Sequence, residues 1–208
     1  MVILVSTLGF DEKFTIRFLM RYAGEFKKLY VVTAEPIDER VSRAFSLIKD
    51  FITRYLGNIE YKLISVDPKD YVKAVASIKR IFRENSTESF AINVSGGMRA
   101  LIIELLLASI LSRVNGYLEI ELENFTGIIR IPLKVFTLVP LSSEEYLIVK
   151  KLALHGEMSA KELKYEISMP RSTLYKYLKE LVRRGVLEVV NEGRINKYKV
   201  SDIAKLLL

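Results

Sequence analysis

The run Ser95-Gly96-Gly97-Met98-Arg99 constrains the chain more than any other stretch. Ahead of it, residues 90–94 are short, apolar and partly β-branched, which predicts a buried strand. Behind it, residues 100–113 are rich in Leu and Ile and predict a helix. A strand that breaks at two glycines and enters a helix presents unpaired backbone N–H groups at the helix N-terminus. The glycines admit a ligand to the backbone, and the helix dipole favours an anion there. Arg99, in the first turn, offers a forked donor for a phosphate. A tight turn that binds nothing has the same local sequence, so the choice depends on the rest of the chain.

Strands and helices alternate around this turn. Residues 2–6, 29–34 and 59–66 predict strands, while 12–26, 38–56 and 71–83 predict helices, the first with Phe14, Phe18 and Tyr22 at four-residue spacing. Short apolar strands separated by helices imply a parallel sheet covered on both faces. Residues 117–123 alternate apolar and charged side chains, and 128–133 and 135–139 follow a turn at Asn124-Phe125-Thr126-Gly127. This predicts an antiparallel hairpin at the sheet edge. The expected fold class is α/β, with a Rossmann-like first domain over residues 1–140, closed by Pro140.

From residue 141 the pattern changes. Ser142 with Glu145 and Ser159 with Glu162 are capping boxes, each opening a helix. Pro170 stands at the start of a third helix that stops before Gly185, and 186–190 and 197–200 predict two short strands. Three helices followed by a hairpin form a winged helix-turn-helix over residues 141–208. In the third helix Leu174, Tyr177, Leu178 and Leu181 share one face, and cations populate the other. Such a helix reads base edges with its N-terminal outer residues and meets phosphates with its cations, although a solvated charged face has the same pattern. The DNA-facing set is Ser159, Arg171, Ser172, Thr173, Tyr175, Lys176, Lys179 and Arg183, with Arg194 and Lys197 at the hairpin tip.

Bulk properties narrow the chemistry. A net charge of +7 over 208 residues favours an anionic partner, usually nucleic acid, although many basic proteins bind none; the winged helix makes double-stranded DNA the expected one. With no cysteine and His155 as the lone histidine, thiol catalysis, zinc fingers and two-histidine metal sites are excluded. No metal or cofactor is expected, and His155 reads as a helix C-terminal residue. The most apolar span, residues 101–111, is interrupted by Glu104 and falls short of the roughly 20 residues of a membrane helix. With no targeting segment in view, a soluble cytoplasmic protein is expected.

In a doubly wound sheet the strands before Thr7 and Ser95 lie side by side, so their exits face each other at the ligand crevice. Thr7, Leu8, Gly9 and Phe10 form one wall, and Asn93 with Ser95, Gly96, Gly97, Met98 and Arg99 the other. Phe10 either stacks on a base or packs in the core. No G-x-G-x-x-G follows the first strand and no P-loop occurs, so neither a dinucleotide site nor an NTPase is indicated, and Glu35 alone does not replace the missing glycines.

Taken together, the first-strand exit Ser6-Thr7-Leu8-Gly9-Phe10, the fourth-strand exit Asn93 to Arg99 and the domain order resemble one family. These are the CRISPR-associated regulators that join a CARF (CRISPR-associated Rossmann fold) domain to a winged helix-turn-helix, especially the archaeal Csa-type regulators. The resemblance implies a homodimer formed through the first domain and a cyclic oligoadenylate bound in its pocket. It also implies winged domains acting on CRISPR-related promoters. An even-numbered ring such as cyclic tetra-adenylate suits a two-fold pocket. Helix 98–113, apolar nearly all round, is the expected dimer contact. Some CARF proteins cleave their ligand, so a metal-independent ring nuclease using Ser95, Thr7 or Arg99 is the alternative. No histidine or cysteine lies in this domain to act as a strong base, and no catalytic residue is assigned.

Overall fold

The computed structural model describes residues 2–192 and 195–208. The chain divides into two compact units that part between Thr137 and Leu138. In the first unit, strands β1 (Val2–Thr7), β2 (Phe26–Ala34), β3 (Glu60–Val66), β4 (Ser89–Asn93), β5 (Gly116–Glu121) and β6 (Ile128–Pro132) form one sheet in the order β3-β2-β1-β4-β5-β6. The first five are parallel and β6 alone is antiparallel. Helices α1 (Lys13–Arg21), α2 (Glu39–Phe51), α3 (Tyr71–Glu84) and α4 (Arg99–Ser112) cover it.

Two apolar layers sandwich the sheet. α1 and α2 bury Phe18, Leu19, Val41 and Ile48 against Leu4, Leu29 and Val31. α3 and α4 bury Ile78, Phe82, Leu101 and Leu105 against Val5, Val32, Phe90 and Ile92. Alternate residues of β1 therefore serve opposite cores, which is why the parallel strands read as continuous apolar runs.

Several expected boundaries shift. α1 ends at Arg21 rather than residue 26, because the chain turns at residues 22–25 through Gly24 (φ 83°) and Phe26 begins β2 with its ring buried. β5 pairs in parallel with β4, so the antiparallel addition begins only at β6. The strand expected over 135–139 is instead a 3-10 turn, Leu133–Thr137. Pro132 carries no N–H for a longer ladder, and the turn seats Leu133 and Phe136 on the core. The helix after Asp38 ends in one wide turn, Ile52–Leu56, before Gly57.

The second unit contains α5 (Ser143–His155), β7 (Met158–Ser159), α6 (Ala160–Glu166), α7 (Arg171–Arg183), β8 (Leu187–Glu192) and β9 (Ile195–Val200). Both capping boxes form with reciprocal bonds: Ser142 with Glu145 and Ser159 with Glu162. Ile148, Leu152, Leu163, Leu174, Leu178, Leu181 and Leu187 make its core. The two-residue β7, too short for a sequence pattern to reveal, pairs with β9 and makes the wing three-stranded, in the order β7-β9-β8. Because β8 and β9 run to Glu192 and Ile195, Lys197 is not at the hairpin tip. It lies within β9, opposite Val190 and Ser159. Arg194 lies outside the described residues. Among the described residues, no helix is long and apolar enough to cross a membrane.

Candidate functional site

β1 and β4 are neighbours, so the exits at Thr7 and Asn93 meet as the parallel order requires. The loops that follow touch through their glycines. A Cβ on Gly9 would stand 3.0 Å from the Gly97 Cα, and Gly97 has φ +92°. α4 begins immediately afterwards at Arg99, and no side chain caps its first turn. The backbone N–H groups of that turn are therefore open to an acceptor. Gly97, Met98 and Arg99 are exposed, and Arg99 makes no ion pair among the described residues.

The other members of the expected set hold the loops in place. Thr7, Leu8 and Asn93 are buried. The Thr7 hydroxyl bonds to the Gly96 carbonyl, fastening the glycine turn to the first strand. Asn93 Nδ2 donates to Ser6 Oγ at 2.9 Å, and Ser6 Oγ lies 2.9 Å from Thr15 Oγ1. On its other side Asn93 Oδ1 accepts from Ser95 Oγ at 2.5 Å, and that hydroxyl accepts the Glu121 N–H at 2.7 Å. One chain of hydrogen bonds thus runs from α1 through β1, β4 and Ser95 to the end of β5. Thr7, Leu8 and Asn93 are thus enclosed behind the exposed residues 97–99, with Thr7 and Asn93 hydrogen-bonded within the loops. Phe10 is exposed rather than core-packed, with the Arg40 guanidinium 3.6 Å from its ring centroid. Asp38 pins Arg40 by two bonds, at 3.1 and 3.0 Å.

Sequence reasoning missed the charged cluster beside this network. Glu119 and Glu121 are buried on β5. Glu119 accepts from Tyr22 Oη at 2.6 Å, Arg130 Nε at 2.6 Å and Arg21 Nε at 3.2 Å. Glu121 binds Arg17 at 2.7 Å and Arg21 at 3.1 Å. Burial, and next the bond to Glu119, push the Tyr22 hydroxyl pKa up. Arg17 also lies 4.5 Å over Phe125, whose ring meets Phe14 at 5.6 Å, beside Gly96. The available signal was a matched period: carboxylates two apart on a strand and arginines four apart on a helix each share a face.

In the second unit α7 buries Leu174, Leu178 and Leu181 and exposes Arg171, Ser172, Tyr175, Lys176, Lys179 and Arg183, with Thr173 half-buried. Arg171 lies 5.5 Å over the Tyr175 ring. Lys161 and Lys164 of α6 join these two around a cleft between the helices, an addition to the expected set. Ser159 is engaged as the N-cap of α6, accepting the Glu162 N–H at 3.3 Å. Arg183 forms a two-pronged bond with Glu180, at 2.8 and 2.5 Å, so it is not a free cation. Arg184 ties the end of α7 to α5 through Glu145 at 2.7 Å.

Residues 2–132 match the family described as the Csa3 CRISPR-associated Rossmann-like domain. Residues 139–204 match the family described as the sugar-specific transcriptional regulator TrmB. No curated protein matches the chain. Among solved structures, Can2 from Sulfobacillus thermosulfidooxidans in complex with cyclic tetra-adenylate aligns at 11% identity and TM-score 0.45, over 99% of this chain and 63% of that one. Enterococcus italicus Csm6, bound to cyclic hexa-2'-fluoro-hexa-dAMP, aligns at 13% identity and TM-score 0.49, over 88% and 55%. The PcaV transcriptional regulator from Streptomyces coelicolor aligns at 22% identity and TM-score 0.31, over 36% and 57%. The chain therefore spans little more than half the length of Csm6 and PcaV and 63% of Can2. With its Rossmann-like sheet matched over most of its length and a winged-helix regulator domain after it, the chain belongs to the Csa3 CRISPR-associated Rossmann-like family.

Proposed function

We propose that the protein is a homodimeric cytoplasmic transcription regulator of CRISPR-related promoters. In this reading a cyclic oligoadenylate held by the loops at 7–10 and 95–99 controls its DNA binding. The observation that carries the reading is the Gly9–Gly97 backbone contact in front of the uncapped first turn of α4. A phosphate placed there meets directed N–H donors, the positive end of the helix dipole and the unpaired Arg99. Phe10, backed by Arg40, offers an aromatic face beside the same loop. The free cations of α7 supply the electrostatic part of DNA binding, and Arg171 and Ser172 at its start supply the reading of bases.

The test is a titration of promoter DNA from the protein's own CRISPR locus, with and without cyclic tetra-adenylate. The ring is expected to change DNA affinity and to be recovered intact. Arg99→Ala should bind the ring about ten- to a hundredfold more weakly, the loss of one charge-assisted hydrogen bond, while keeping its ligand-free DNA affinity. An unchanged ring affinity in a folded Arg99→Ala protein would overturn the site. Linear products would make the protein a ring nuclease instead.

A further inference from the structure

A cleft of about 570 Å³ opens at the end of the strands opposite the glycine loops, where the C-terminal ends of α3 and α4 converge. Its volume falls within the range of small-ligand sites. Lys79, Arg80 and Arg83 of α3 and Arg113, the C-cap of α4, line it together with Ser86 and Ser112, and no acidic residue does. None of these four cations makes an ion pair or a side-chain hydrogen bond among the described residues. Elsewhere in the chain Arg17, Arg21, Arg130, Arg183 and Arg184 are all held by carboxylates. Arg80 also borders an adjoining groove that Glu84 lines, but among the described residues no ion pair joins the two.

Helix C-termini attract cations for reasons unrelated to a ligand, so that contribution must be weighed. Each C-terminus carries about half a negative charge. Two ends together offset about one of the four positive charges, which leaves the cleft strongly cationic and without a counter-charge. Arg113 also has φ 51°, a left-handed conformation in which glycine is the ordinary residue. An arginine in that conformation, lining a concavity with three other cations that have no ion pair among the described residues, points to an anion.

We infer that this cleft binds a short polyphosphate chain, free or carried on a nucleotide. Its cations close on one concavity, which fits adjacent phosphates of a single small molecule. A nucleic-acid strand would instead follow a groove that tracks its backbone. The inference is independent of the reading of the glycine loops, which lie at the opposite end of the strands.

The test is calorimetric titration of the full-length protein with ATP and, separately, with sodium tripolyphosphate at low salt. One site per chain is expected. Arg83→Ala and Arg113→Gly should each weaken binding about tenfold, and the double variant should lose it. Arg113→Gly suits the left-handed backbone, so it should melt no lower than the parent and separates loss of binding from loss of fold. Equal affinity for the two probes assigns recognition to the phosphates alone, whereas tighter ATP binding assigns part of it to the nucleoside. Either result supports the site. No binding of either probe, or binding insensitive to both substitutions, overturns it. So does a double variant whose only defect is weaker binding of double-stranded DNA.

Discussion

Gly9 and Gly97 meet backbone to backbone, and each constrains the other. A Cβ on Gly97 would sit 3.2 Å from the Thr7 Cβ in a conformation with φ +92°, and one on Gly9 would press the Gly97 Cα at 3.0 Å. Gly97→Ala therefore adds left-handed strain of roughly 1–2 kcal/mol, and Gly9→Ala forces the two loops apart. Both should lower the melting temperature and weaken cyclic tetra-adenylate binding. Gly96→Ala is the contrast, because its Cβ finds only ordinary contacts at 3.7 Å to Phe14 and the Thr7 carbonyl. It should melt close to the parent, and equal effects at Gly96 and Gly97 would show that the turn is not built as described.

Glu119 is a buried carboxylate held by three donors, the adjacent Arg21 and Tyr22 at the end of α1 and Arg130 on β6. Removing it leaves the buried Tyr22 hydroxyl without its acceptor and Arg21, itself largely enclosed, with Glu121 as its remaining carboxylate. Breaking such a group costs about 3–5 kcal/mol, so Glu119→Ala should unfold the first unit at markedly lower denaturant. Arg130→Ala should cost less, because that side chain is half in solvent and water replaces it. Chemical denaturation followed by circular dichroism measures both.

The alternating pattern was legible because its physics is local: apolar strands, capped helices and glycine turns announce themselves within a few residues. The same holds for Ser142 with Glu145 and Ser159 with Glu162, whose reciprocal caps formed as the spacing indicated. What the sequence hid depends on pairing across long separations. Glu119 reads as one more charged residue in an alternating strand until Tyr22, 97 positions away, bonds to it. Asn93 and Thr7 read as ligand contacts because polar side chains at strand exits commonly are. Their burial under the Ser6–Ser95 network appears only when β1 and β4 are brought side by side. Arg183 looked free for phosphate because an i, i+3 partner, Glu180, is as easily solvated as paired.

Glu104 is buried on α4, and its Oε2 has no hydrogen-bond partner among the described residues. Burial, with a smaller push from Asp67, raises its pKa above the ordinary carboxyl value. The folded form thus holds this proton more tightly than the unfolded chain does. Its contribution to stability is fully present below the ordinary carboxyl pKa and is lost as pH rises through the elevated one. Glu104→Gln should therefore raise the melting temperature near pH 7, leave it almost unchanged near pH 4, and flatten the profile between. A uniform shift at all pH values would mean that Glu104 does not titrate in this way.

On α7 the free cations and the paired one should behave differently. If Lys176 and Lys179 meet phosphates as proposed, Lys176→Ala and Lys179→Ala should each reduce the slope of log affinity against log salt by about one, equally for all DNA sequences. Arg183 must first release Glu180, so Arg183→Ala should change the slope less, and Glu180→Gln should strengthen binding by freeing the guanidinium. Arg171→Ala should instead narrow the gap between operator and random DNA. Fluorescence anisotropy at several salt concentrations separates these effects, and a loss of discrimination in Lys179→Ala would place α7 differently in the groove.

The last prediction concerns the outer face of α4. Leu101, Leu105 and Ala108 turn inward and are buried, yet Ile103, Leu107 and Leu111 remain 59%, 39% and 61% exposed at four-residue spacing. A helix on a sheet ordinarily turns polar residues outward. Within the chain, the turn at Leu133–Thr137 packs on the α3–α4 core but leaves this stripe open. A second copy related by a two-fold axis would cover it with the same stripe, as a self-complementary interface requires. That arrangement would also join two sets of glycine loops into one symmetric pocket and supply two recognition helices, without which a single winged unit reads too few base pairs to be selective. Light scattering should give about twice 23.9 kDa. Ile103→Glu or Leu107→Glu should yield a folded monomer, because neither side chain is part of the core. The monomer should lose operator affinity at least tenfold and bind cyclic tetra-adenylate more weakly than the dimer. A monomer that keeps full affinity for both would detach the stripe from function.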